Sequence, residues 1–205
     1  MAGRRVTMRT SRVTLGALGV LLLPATSHAH LVNTGLGPFY DGVSHFALTP
    51  EDLLPALAMA LLAGQRGSRA GRLTLFALPV AWLAGGLAGL AFPTISAATA
   101  LTTVSFLALG ALVATEARLR PEWVTGLALV LGLLHGNLNG SAMSQAKLGA
   151  LGLVGIVTTL FGVVALAAGL VVALRAPWAR IAVRVAGSWI AAIGLLLLGW
   201  SFRGQ

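Results

Sequence analysis

The sequence has no cysteine and only five acidic residues in a chain of 205. Without cysteine there can be no disulfide, no thiolate metal site and no cysteine nucleophile, while the redox compartment stays open. Charge is scarce altogether. Only 9% of residues are charged, against roughly 25% in soluble domains, too few to cover a water-facing surface. A serine-histidine elbow and a nucleotide-binding motif are also missing, which argues against an enzyme and against direct coupling to nucleotide hydrolysis. What remains is 57% hydrophobic, with 26 glycines and a net charge of +9. In a soluble protein that excess of positive charge would point to nucleic acid. Here the arginines fall in short stretches between apolar runs, which makes them a topology signal and leaves no nucleic-acid partner. The class is an all-α, polytopic membrane helix bundle whose surroundings are the lipid bilayer.

Residues 1–29 read as a signal peptide, followed by a single transmembrane domain over 30–205. Arg4, Arg5, Arg9 and Arg12 form a basic start, 13–23 is apolar, Pro24 breaks it, and Ala25, Ser27 and Ala29 offer small residues for cleavage. About 11 apolar residues fall short of the ~20 needed to span a bilayer. Cleavage after Ser27 or Ala29 would leave His28 or His30 beside a free amine, a pair able to chelate copper or nickel. A plain cleavage region is the preferred reading.

Six apolar segments follow, at 50–63, 73–91, 95–115, 123–134, 148–174 and 181–200. Arg66, Arg69 and Arg72 lie in the first loop between them, Arg118 and Arg120 in the third, and Arg175, Arg180 and Arg184 in the fifth. The alternate loops and the tail hold only Lys147 and Arg203. Eight against two is a positive-inside bias that places both mature termini on the outer face. Gly85 and Gly89, and Gly132, Gly136 and Gly140, recur four apart, as in helices that approach closely. Thr99, Thr102, Thr103 and Ser105 read as hydrogen bonders between helices rather than ligands. Trp123, Trp178 and Trp200, near segment ends, read as interfacial anchors.

Chemistry concentrates at 35–54, which holds Asp41, Glu51 and Asp52 with His45 among them. Ionisable groups are costly near lipid, so their concentration here calls for a reason. Residues 35–46 are expected as a half-helix, which a membrane tolerates only where it is buried in protein or lines water. Asp41 and His45, four apart, would share one of its faces. Thr49-Pro50 reads as an N-cap and first-turn proline opening the next helix, with Glu51 and Asp52 in its first turn. Those two acids have a plain alternative: they complement the helix dipole and its free amides. A second polar cluster is His135-Gly-Asn-Leu-Asn-Gly140. It is expected to interrupt the fourth apolar segment at its outer end. A glycine-rich helix end would explain Gly136, Asn139 and Gly140, but not His135. The topology puts His45 and His135 on the same side.

These residues resemble the HupE/UreJ membrane proteins, which are associated with nickel or cobalt supply for hydrogenases and ureases. That family has a segment like G-F-x-x-G-x-x-H-P-x-x-G-x-D-H-L-L and, later, F-H-G-x-x-H-G. Phe39, Gly42, His45, Leu53 and Leu54 match the first motif, and His135, Gly136 and Gly140 match the second. Glu51-Asp52 stands where the family has Asp-His, and Asn139 where it has a second histidine. Two imidazoles are thus replaced by oxygen donors, which suit harder ions than nickel. The resemblance implies uptake of a divalent transition metal, nickel or cobalt, across the bacterial inner membrane. Capture would fall to Asp41, His45, Glu51 and Asp52, completed by His135 and Asn139. The metal would be cargo, and no permanently bound cofactor is expected. Two rivals stand beside this. One is a non-transporting accessory or assembly protein acting on a membrane partner or a second copy of the chain. The other is a haem-b protein ligated by His45 and His135.

Overall fold

A computed structural model describes residues 33–93 and 98–202. The signal-peptide segment, with His28 and His30, lies outside the described residues. Within them the chain is helical throughout: α1 Pro38–Leu48, α2 Pro50–Gln65, α3 Ser68–Ala91, α4 Ala98–Ala114, α5 Pro121–Gln145, α6 Gly149–Ala173 and α7 Pro177–Ser201. Four of these, α1, α2, α5 and α7, begin with proline in the first turn. Proline suits that position because the amide it lacks would have no helical partner there.

The expected half-helix is α1, and the six apolar segments become α2 to α7. By length and apolarity α3, α6 and α7 are each able to cross a membrane, and α1 with α2 passes the same test as one span bent by 71°. Several boundaries move. The arginines at 69 and 72 sit on α3 rather than in a loop, because Gly67, at φ 93, turns the chain sharply and the helix begins at Ser68. Arg180 and Arg184 likewise sit on α7. The largest change is in α5, which does not stop near His135 but runs on to Gln145. Its glycines sit inside a helix because they are the surface on which α3 packs.

That interface explains the glycine spacing. A Cβ on Gly136 would lie 2.1 Å from the Trp82 carbonyl oxygen, and one on Gly140 2.0 Å from that of Gly86. The relation is reciprocal: a Cβ on Gly89 would lie 2.0 Å from the Asn137 carbonyl oxygen. The two backbones touch, as small residues permit in membrane bundles. The same device docks α1 on α6, where a Cβ on Gly42 would meet the Gly152 carbonyl at 2.0 Å. The middle of the bundle is α2, buried continuously from Ala58 to Gly64 and touching every other helix. A helix apolar on all sides belongs at such a centre.

The three basic junctions meet at one end of the bundle. Glu116, just past α4, accepts from Arg180 and lies 3.9 Å from Arg66. Arg184 donates to the Ala114 carbonyl at 2.9 Å, and Arg69 lies 3.3 Å from Glu122. The hydrogen bond from Arg180, helped by the charges of Arg66 and Arg184, holds the Glu116 carboxyl below its ordinary range. Elsewhere the surface is apolar, with Leu166, Trp189 and Leu196 at least 70% exposed, as expected of groups facing lipid. Trp123, Trp178 and Trp200 are also exposed near helix ends.

Candidate cation site

The bend between α1 and α2 brings the end of one short helix and the start of another into the bundle. His45 lies in the last turn of α1 and Asp52 in the first turn of α2. Both are buried. His45 Nε2 stands 3.9 Å from Asp52 Oδ2, beyond hydrogen-bond reach. The other oxygen, Asp52 Oδ1, is 3.2 Å from His135 Nδ1 on α5. The second ring nitrogen of His135, Nε2, is 3.1 Å from the Ser105 hydroxyl on α4. One carboxylate therefore faces two histidines, and four helices converge on it.

For an ionised Asp52 and a neutral His135 ring the protons are assigned. A carboxylate only accepts, so His135 Nδ1 carries the proton and donates. Nε2 then holds the lone pair and accepts from Ser105. The ring lies beside the Trp82 indole, with centroids 5.5 Å apart and planes at 33°. Phe46 and that indole meet edge-to-face, with centroids 5.8 Å apart. The residue after His135, Gly136, lies against the Trp82 backbone, so the contact of α3 and α5 sets the imidazole and the indole side by side. His135 is 1% exposed, and a buried polar ring without partners would cost several kcal/mol, roughly 1–3 per unmet hydrogen bond. Here both nitrogens are met.

The other candidates part company. Asp41 accepts from the Thr34 amide at 2.7 Å and the Thr34 hydroxyl at 2.6 Å, tying the preceding segment onto α1. Glu51 is exposed. Asn139 donates to the His135 carbonyl at 3.1 Å, one turn back, while its Oδ1 is buried without a partner among the described residues. Thr49 is the N-cap of α2 but makes no side-chain cap bond. Asp52, in the first turn of α2, gives one carboxylate oxygen to His135 and turns the other toward His45.

Among the described residues no three His, Asp or Glu side chains are grouped so as to hold a metal ion in this geometry. The arrangement offers a two-sided gap between His45 Nε2 and Asp52 Oδ2. Ser105, Trp82 and Phe46 were not among the site residues read from the sequence. Ser105 had a signal, a polar run on an otherwise apolar segment, and its expected role as an interhelical hydrogen bonder is met. Trp82 and Phe46 had none beyond being aromatic in apolar helices.

No curated protein and no solved structure matches the chain. The sequence profile of the HupE / UreJ proteins matches residues 18–197, a span that includes all seven helices but the last turn of α7, together with both histidine motifs. On that match the chain belongs to the HupE/UreJ family of membrane proteins.

Proposed function

We propose that this protein carries a divalent transition-metal cation, nickel or cobalt, inward across the bacterial inner membrane. The observation that carries the reading is the buried pair of His45 Nε2 and Asp52 Oδ2, 3.9 Å apart at the break between α1 and α2. Bonds of about 2.1 Å to an ion would draw such a pair to roughly 3.0–3.4 Å, a shift of under about 1 Å. One imidazole and one carboxylate suit a borderline divalent ion. Broken helices that place a site inside the bundle are a recurring feature of transporters.

Orientation follows from charge. The arginine end lies in the cytoplasm, and α1, Lys147 and the C-terminus face outside. His135 is ten residues before the end of α5, about 15 Å along a helix. On that orientation the pair lies nearer the outer face than the arginine end, at a depth within the bilayer. Release would be at the arginine end, where Glu116 is held by Arg66 and Arg180. Gradients, membrane potential or a partner would supply the energy.

The test is nickel or cobalt uptake into proteoliposomes containing the purified protein. Uptake in wild type that falls to background in His45→Ala supports the reading; no uptake in wild type refutes it. The accessory-protein reading keeps one supporting observation, the lack of a three-sided metal cluster among the described residues. It predicts a stable complex with a membrane partner and no uptake.

A further inference from the structure

The sequence motifs treat His45 and His135 alike, but their surroundings are different. We infer that His135 is not a ligand of the transported cation but a positioning residue, and that Ser105 sets its orientation. This inference rests on the transport reading.

A neutral imidazole has one lone pair in the ring plane. In His135 that lone pair, on Nε2, is taken by the Ser105 hydroxyl at 3.1 Å, and the proton on Nδ1 is taken by Asp52 at 3.2 Å. To bind an ion the ring would have to give up one of these bonds. It cannot easily swing to do so, because it is 1% exposed and flanked by Trp82. Trp82 is itself fixed by the contact of its carbonyl with Gly136. Asn139 holds the backbone one turn away. The ring is held at both nitrogens and flanked by Trp82.

What the held ring does is aim the carboxylate. By fixing Oδ1, the Nδ1–H bond turns Oδ2 toward His45, the histidine whose Nε2 has no hydrogen-bond partner within reach among the described residues. The carboxylate, which only accepts, keeps the proton on Nδ1, and the Ser105 hydroxyl, donating to Nε2, holds the ring in the plane that presents this donor to Asp52. Hydrogen-bonded partners of this kind, one step removed from the ion, commonly change affinity by about 10–100-fold. The chain then supplies one nitrogen and one oxygen, with the remaining positions left to water. A loosely held ion of that kind can leave again, as transport requires.

The experiment counts imidazoles. The sequence has four histidines, so full-length protein carrying His28→Ala and His30→Ala keeps only the two in question. Loaded with Cu2+ as the probe, it is examined by pulsed electron paramagnetic resonance, which detects imidazole nitrogen coupled to the metal. The expected result is one imidazole, retained in His135→Asn, whose amide can still donate to Asp52, and absent in His45→Ala. Ser105→Ala should weaken Ni2+ binding about tenfold without changing the count, and Ser105→Thr should restore it. Two imidazoles that fall to one in His135→Asn overturn the inference and leave the transport reading intact. Protein that binds neither Cu2+ nor Ni2+ overturns both. If Ser105→Ala does not fold, the imidazole count decides alone.

Discussion

Asp52 and His135 are 83 positions apart in the chain and meet at 3.2 Å in the middle of the bundle. Asp52 reaches that position because it lies on the inward side of the first turn of α2, buried while Pro50 and Glu51 before it are exposed. His135 reaches it because α5 continues through its glycines. The contact commits a carboxylate that could otherwise serve as a helix cap, and it sets up the following expectations.

Asp52→Asn should abolish metal accumulation while protein abundance stays near wild type. Asparagine caps about as well as aspartate and still accepts from His135, but it loses the charge. Loss of more than about 1.4 kcal/mol of ion binding is more than tenfold in affinity. Thr49→Ala is the control. Its side chain makes no cap bond, so it should cost less than the ~1 kcal/mol typical of a lost cap. Cellular nickel or cobalt content and immunoblotting measure both. Damage from Thr49→Ala with normal accumulation in Asp52→Asn would sink the site.

Glu51→Gln and Asp41→Asn should leave metal affinity near wild type. Glu51 is exposed, and Asp41 is engaged with Thr34. Calorimetric titration with Ni2+ checks this. Loss of binding in either variant would return that residue to the site.

Gly136→Ala should destabilise the fold by at least the roughly 1–3 kcal/mol that overpacking costs, because the added carbon meets the Trp82 carbonyl. Gly126→Ala, in the same helix but with nothing within 4 Å of its added carbon, should be neutral or stabilising by up to about 1 kcal/mol. Melting temperatures in one detergent compare them. Equal melting temperatures would mean that α3 and α5 do not touch as described.

Glu116 makes stability depend on pH. Its folded value lies below its ordinary one, 4.5, chiefly through the Arg180 hydrogen bond. The contribution is therefore fully present above the ordinary value and is lost as pH falls through the depressed folded value. Wild type should lose melting temperature over that acid range more steeply than Glu116→Gln. Parallel curves would mean the ion pairs add nothing.

The arginine end should be cytoplasmic. Because the chain has no cysteine, single substitutions report cleanly. Lys147→Cys should be labelled by an impermeant thiol reagent in intact cells, and Arg118→Cys only after the membrane is opened. The opposite pattern would invert the orientation. Mass spectrometry of the mature protein tests removal of residues 1–29, which an intact Met1 would exclude.

Much of this was legible in the sequence, for reasons that are local. Too few charges to face water, apolar runs of helical length and the Thr49-Pro50 start set the class and the approximate places of α2 to α7. Arginines in alternate junctions gathered them at one end, and glycines four apart marked the faces of α3 and α5 that touch. These signals depend on composition and period, which survive without knowing who packs against whom. The partners of single polar atoms do not. Glu51 and Asp52 are neighbours of nearly equal chemistry, yet one faces out and the other meets two histidines, because adjacent helical residues point about 100° apart. Asp41 shares a helix face with His45 but is claimed by Thr34. Gly136, Asn139 and Gly140 read as the end of a helix and lie inside one. Only the packing of α1, α2, α4 and α5 around one carboxylate decided which atoms were left free, since burial forces each polar group to find its partner nearby and the nearest partner is set by tertiary contact.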